Sequence, residues 1–289
     1  MRSEEEMFDL ILRTAREDDR IRAAIMNGSR ANPNAPRDLF QDYDIVYLVT
    51  EMAPYIGNIP WIEQFGELTI LQLPDAMQEP PPAHYDSYAY LAQFQDGNRI
   101  DLTIYPVDKL GEMGRDSQSI LLLDKDGVVA PFDAPSDRDY LPQPPTAAAF
   151  SFCCNEFWWV STYVAKGLWR DELPYAREHL ELVLRPELHK MLRWRFGVQT
   201  GFTVAPGKSG KYLQRQLGPD LWAQWLATCA GGSVEAHWEA LEAMCALFRA
   251  AAQDVAAHFG YAYPQGDDDR VSAYLRRVRA MSHGDHSRA

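Results

Sequence analysis

The chain changes its hydrophobic period partway along, and that change commits it to two kinds of structure. Up to about residue 127 the apolar residues fall in short runs of β-branched and aromatic side chains separated by turn residues, which is the pattern of strands. Beyond residue 146 they recur every three or four positions over long stretches, which is the pattern of helices. Between the two, the stretch 131–145 carries five prolines and few periodic apolar positions, as a domain boundary does. With 289 residues, 46% of them apolar, the chain is long enough for two cores. The expectation is an α+β protein: a mixed sheet with flanking helices over 1–135, an all-α helical bundle over 146–281, and a disordered tail over 282–289.

Local signals place the elements. Ser3 and Glu6 have the spacing of a capping box, so a helix is expected over 3–20, followed by a strand running into Gly28. Further strands are expected near 43–50, 67–73, 86–95 and 98–106, and 120–127 reads as one more strand ending in a turn. Asp96-Gly97 joins two of these runs as a hairpin turn. In the second half, Phe150, Phe157, Trp158, Val160, Val164 and Leu168 describe a helix that is apolar around much of its circumference. Pro174 opens another, with Pro186 as a kink. Shorter helices follow over 210–217 and 219–230. Ser233 caps a helix reaching Phe259, and Asp267-Asp268-Asp269 opens a last one, where acids suit the helix dipole.

Chemistry gathers on a few residues. Asp42 and Asp44 stand at the head of the run Ile45-Val46-Tyr47-Leu48-Val49. Side chains at i and i+2 on a strand share a face, with Cα atoms roughly 6–7 Å apart. Two such carboxylates need a cation or a proton between them, and hard oxygen donors suit Mg²⁺. Asp101 lies inside another strand pattern, where an aspartate is out of place without a partner. Gly28 lets backbone N–H groups approach an anion, Ser29 adds a hydroxyl, and Arg30 offers a fixed charge suited to phosphate.

The second half adds candidates. Gly207-Lys208-Ser209-Gly210-Lys211 is not a P-loop, because Gly201 to Gly207 encloses five residues instead of four and no strand precedes it. Lys208 and Lys211 are still candidates to grip phosphates as point charges. Glu156, Trp159, Asp171 and Glu172 mix acids with an aromatic face, a combination suited to a cationic substrate.

Net charge is −13, which opposes a nucleic acid partner and favours a cationic small molecule. No apolar run reaches membrane-spanning length, and the acidic N-terminus has no signal-peptide core. The four cysteines lack zinc-ligand spacing. A cytoplasmic protein is expected, with a monomer favoured.

Gly28-Ser29, twelve residues, Asp42-x-Asp44, then a lone Asp101 on a later strand resembles the polymerase-β-like nucleotidyltransferase superfamily. The segments Asn27-Gly28-Ser29-Arg30-Ala31, Asp42-Tyr43-Asp44-Ile45, Gly207-Lys208-Ser209-Gly210-Lys211-Tyr212 and the stretch 157–175 resemble the aminoglycoside (streptomycin) 6-adenylyltransferases. That resemblance implies a nucleotidyltransferase domain followed by a helical domain, ATP as donor, two Mg²⁺, and AMP transfer to the 6-hydroxyl of the streptidine ring. Asp42 and Asp44 would then ligate metal, and Asp101 would be general base with a share in one metal. Gly28, Ser29, Arg30, Lys208 and Lys211 would hold ATP, and Glu156, Trp159, Asp171 and Glu172 the aminoglycoside. Three alternatives stay open: another small acceptor such as a lincosamide, a protein or RNA acceptor, and a non-catalytic nucleotide or ligand sensor.

Overall fold

In the computed structural model, which describes residues 1–282, the division between regimes falls inside the proline-rich stretch. One unit spans Met1–Asp139 and the other begins at Tyr140. The tail expected over 282–289 lies, from residue 283 on, outside the described residues.

The first unit opens with α1 (Glu4–Glu17). The Ser3 hydroxyl accepts from the Glu6 N–H at 3.2 Å, and the Glu6 carboxylate accepts from the Ser3 N–H at 2.7 Å. This reciprocal pair is the expected capping box. The helix stops at Glu17, short of residue 20. Asp18 leaves the helical conformation and takes the Arg20 guanidinium in a two-pronged bond.

The strands among the described residues are β1 (Ile21–Asn27), β2 (Tyr43–Val49), β3 (Leu68–Gln72), β4 (Tyr88–Phe94), β5 (Arg99–Pro106) and β6 (Ile120–Asp124). They form one sheet in the order β3-β4-β5-β2-β1-β6. All neighbours are antiparallel except β2 and β5, which are parallel. Two short helices, α2 (Gly28–Ala31) and α3 (Ile59–Glu63), lie between strands.

Alternation decides what each face carries. Tyr43, Ile45, Tyr47 and Val49 of β2, with Ile100, Leu102 and Ile104 of β5, belong to the large core that includes Met7 and Ile11 of α1. The Tyr47 hydroxyl donates to the Ile11 carbonyl at 2.6 Å, tying sheet to helix. Val46 and Leu48 belong to a smaller cluster with Ala23 and Ile25. Asp44 and Asp101 alternate with the large-core residues, so they point to the face opposite α1. A one-residue slip of either strand would drive an aspartate into the tyrosine-rich core.

The second unit is helical: α4 (Ala147–Trp169), α5 (Leu173–His179), α6 (Arg185–Thr200), α7 (Leu213–Ala227), α8 (Val234–Phe259) and α9 (Gln265–Ala280). Thr146 and Ser233 cap α4 and α8 through their side chains. Phe157 of α4 stacks on Phe248 of α8 with ring centroids 3.8 Å apart. The kink expected at Pro186 is a single π turn, Leu180–Leu184, that joins α5 to α6 just ahead of it. Proline cannot donate back to the preceding turn, and a wider turn absorbs the mismatch. Gly218, at φ +72°, breaks α7, which separates the two short helices the sequence anticipates.

Asp267 and Asp268 lie in the first turn of α9, as expected, and Asp268 is in addition only 1% exposed. Arg249 grips it at 2.5 and 2.6 Å, Tyr263 donates at 2.7 Å and Ser272 at 2.9 Å. Burial alone would raise its pKa, yet these donors hold it below the usual value. Among the described residues no helix is long and apolar enough to cross a membrane.

Candidate active site

The parallel joint between β2 and β5 builds the centre of the site. Asp44 and Asp101 are direct partners in its register. Asp42, two residues before Asp44, shares its face. Each of the three offers a carboxylate oxygen, and these oxygens lie within 4.8 Å of one another; all three residues are partly exposed. Three hard oxygen donors converging from two strands suit Mg²⁺, which keeps room for water and phosphate oxygens.

Gly28 completes this arrangement. It sits at φ +76°, and a Cβ built on it would lie 2.2 Å from Asp44 Oδ2. Glycine is therefore required twice, once for the backbone conformation and once for the close approach. Ser29 follows in the first turn of α2. Its carbonyl and hydroxyl accept from Gln41 Nε2 at 3.2 and 3.4 Å. Gln41 was not singled out in the sequence, and it ties the end of the 32–42 loop to this turn.

Arg30, expected at a phosphate, is engaged here by protein partners. It is 7% exposed and lies 3.9 Å over the Tyr43 ring. It donates to the carbonyls of Gln41 and Asp42 and pairs with Glu4 at 2.9 Å. The loop carbonyls ahead of β2 need donors, and Arg30 supplies two of them.

Arg99 is the residue the sequence reading missed. Its Nε and Nη2 donate to the two oxygens of Asp101, each at 2.7 Å, and its Nε lies 3.9 Å from Asp42. The bond to Asp101 raises the pKa of the Arg99 guanidinium above its ordinary value. The signal was present: Arg99 precedes Asp101 by two positions, which on a strand means one face.

The remaining candidates belong to the helical unit. Lys208 and Lys211 are exposed. They flank Ser209, at φ +55°, in a tight loop held between Gly207 and Gly210, and Lys211 Nζ lies 5.1 Å from the Tyr212 ring centre. On α4, Trp158 is core and its neighbour Trp159 is 59% exposed. Trp159 donates its indole N–H to the Tyr163 hydroxyl at 2.7 Å. Glu156 is half-buried on the same helix. Asp171 and Glu172 are exposed where α4 ends, with Asp171 at φ +60°. Aspartate tolerates that conformation better than most residues. Their backbone N–H groups close the helix end on the Leu168 and Gly167 carbonyls; Glu172 is also the N-cap residue of α5, without a capping bond from its side chain, and its carboxylate lies 3.9 Å from Arg170.

Three carboxylates that meet at the two central strands of a mixed sheet, with a glycine turn pressed against them, define a nucleotidyltransferase, and this chain is an enzyme of that class. Residues 1–278 match the streptomycin adenylyltransferase family. The chain belongs to that family. It is 40% identical over 280 residues to the aminoglycoside 6-adenylyltransferase of Campylobacter jejuni, covering 96% of each chain. It is 39% identical over 270 residues to that of Bacillus subtilis (strain 168), covering 93% of this chain and 95% of the relative. A crystal structure of an aminoglycoside 6-adenyltransferase from Bacillus subtilis aligns at 34% identity with a TM-score of 0.49, over 97% of this chain and 100% of that one.

Proposed function

We propose that this enzyme transfers AMP from ATP to a hydroxyl of an aminoglycoside, specifically the 6-hydroxyl of streptomycin, and so inactivates the drug. The observation that carries the reading is the convergence of Asp42, Asp44 and Asp101 within 4.8 Å in a chain of this family. Two bound Mg²⁺ would supply charge neutralisation at the reacting phosphate and at the pyrophosphate leaving group. Asp42 and Asp44 would hold the cations, with Asp101 sharing one. Asp101 takes the proton of the attacking hydroxyl, which requires one of its oxygens within about 2.6–3.2 Å of that hydroxyl. Gly28 and Ser29 bring backbone N–H groups to the triphosphate. Lys208 and Lys211 add point charges for the phosphates. Glu156, Asp171, Glu172 and the Trp159 face recognise the cationic drug, helped by the overall charge of −13.

The test is mass spectrometry of streptomycin after incubation with enzyme, ATP and Mg²⁺. The drug gains one adenylyl group, and NMR places it on the 6-hydroxyl. Asp42→Ala loses pyrophosphate release. No adenylylation of streptomycin overturns the acceptor, and wild-type turnover by Asp42→Ala overturns the site.

A further inference from the structure

Arg99 stands in an unusual relation to the three acids. Both oxygens of Asp101 accept from it. One of those same two oxygens is the Asp101 contribution to the cluster within 4.8 Å. A cation held by the three acids and the Arg99 guanidinium therefore share an oxygen. A carboxylate has about four lone-pair sites. The fork occupies one on each oxygen and leaves one on each, so Asp101 is aimed rather than consumed. The same guanidinium lies 3.9 Å from Asp42. It cannot be deprotonated, so it places a permanent positive charge at the edge of the cluster. The side chains of Asp101 and Asp42 are 19% and 31% exposed, which leaves that charge only partly screened by water.

We propose that Arg99 is a positioning residue with two separable effects: its planar fork orients Asp101, and its charge lowers the affinity of the carboxylates for a divalent cation. This rests on the reading of Asp42, Asp44 and Asp101 as a cation site. The two effects separate because lysine keeps the charge and loses the fork, and glutamine loses both. The arrangement keeps the site from trapping a bare cation, so that the cation binds well only when a triphosphate brings further oxygen ligands.

The probe is Mn²⁺, with free ion counted by electron paramagnetic resonance, without and with ATP, alongside kcat and KM for adenylyl transfer. Arg99→Gln binds Mn²⁺ about tenfold or more tightly than wild type in the absence of ATP. Arg99→Lys binds it within about threefold of wild type, yet its kcat falls about tenfold or more with KM for ATP little changed. Unchanged or weaker Mn²⁺ binding by Arg99→Gln overturns the charge effect. Wild-type kcat in Arg99→Lys overturns the fork. Arg99 is 44% exposed, so both variants fold, and melting curves verify it; if Arg99→Gln fails to fold, the kcat of Arg99→Lys still decides the fork. Asp42→Ala separates the two layers. If it binds Mn²⁺ as wild type does, the cation-site reading falls. If it loses Mn²⁺ while Arg99→Gln matches wild type, only the role of Arg99 falls.

Discussion

Replacing Gly28 with alanine isolates the contact between the glycine turn and the carboxylates. The added Cβ would sit 2.2 Å from Asp44 Oδ2 and 3.0 Å from its Cγ. An ordinary carbon–oxygen contact is about 3.3 Å, so the carboxylate retreats by about 1 Å. Misplacing a catalytic group by that distance costs about a hundredfold in rate. The left-handed backbone adds about 1–2 kcal/mol of strain for any residue with a Cβ. Gly127 is the matched control. It has φ +65°, with nothing within 4 Å of its Cβ position, and it lies beyond the end of β6 remote from Asn27. Gly28→Ala and Gly127→Ala therefore lose similar stability, seen as drops of a few degrees in melting temperature. Only Gly28→Ala loses about a hundredfold or more in kcat/KM, measured by coupled pyrophosphate release with streptomycin and ATP. A Gly28→Ala enzyme within threefold of wild type would refute the argument that this close approach sets the position of Asp44.

Other outcomes follow from the same structure. Arg30→Ala lowers the melting temperature, with a stability cost of about 2–3 kcal/mol from the lost charged hydrogen bonds, and Arg30→Lys does not restore it; an unaltered melting curve with a raised KM for ATP would return Arg30 to a phosphate-binding role. Arg249→Ala strands a buried Asp268 carboxylate and costs about 3–5 kcal/mol by urea unfolding. In the wild type the Asp268 pKa is held below its usual value, so the pair's stabilisation is complete above about pH 4 and is lost as pH falls through that lowered value. Asp18, held down to about 2 chiefly by its hydrogen bond from Arg20, loses its contribution over the same acid range, and a stability that stayed flat from pH 5 to 2 would contradict both. Cys153, Cys154 and Cys245 are buried and Cys229 is exposed, so a thiol reagent modifies one cysteine in the native protein and four after denaturation.

Strand positions were readable because alternation is local. β2, β4 and β5 lie within about two residues of the runs that announced them. The side-by-side placement of Asp42 and Asp44 needed only the period of a strand. Their meeting with Asp101 needed the parallel pairing of β2 and β5, and partners so far apart in sequence leave no local trace. Arg30 shows a different limit. Its residue type suits phosphate, but nothing local shows that the Gln41 and Asp42 carbonyls need a donor. Arg99 was readable by the same i, i+2 rule that paired the acids. It passed unnoticed because an arginine at a strand start is ordinarily solvated. Trp158 and Trp159 are adjacent in sequence, yet the helical period already grouped Trp158 with the apolar positions of α4 and left Trp159 outside them, and the one is buried and the other exposed. Asp268 could not be read as buried, because the arginine that grips it, Arg249, comes from a different helix, α8.

The parallel joint between β2 and β5 also makes the site a reporter of assembly. β2 pairs locally with β1 and β5 with β4, and neither of those antiparallel pairs contains the joint, which closes only when β5 docks on β2. Divalent-cation affinity therefore appears late, with the closing of the middle of the sheet. A refolding experiment that follows Mn²⁺ capture beside tyrosine burial would time that closure directly.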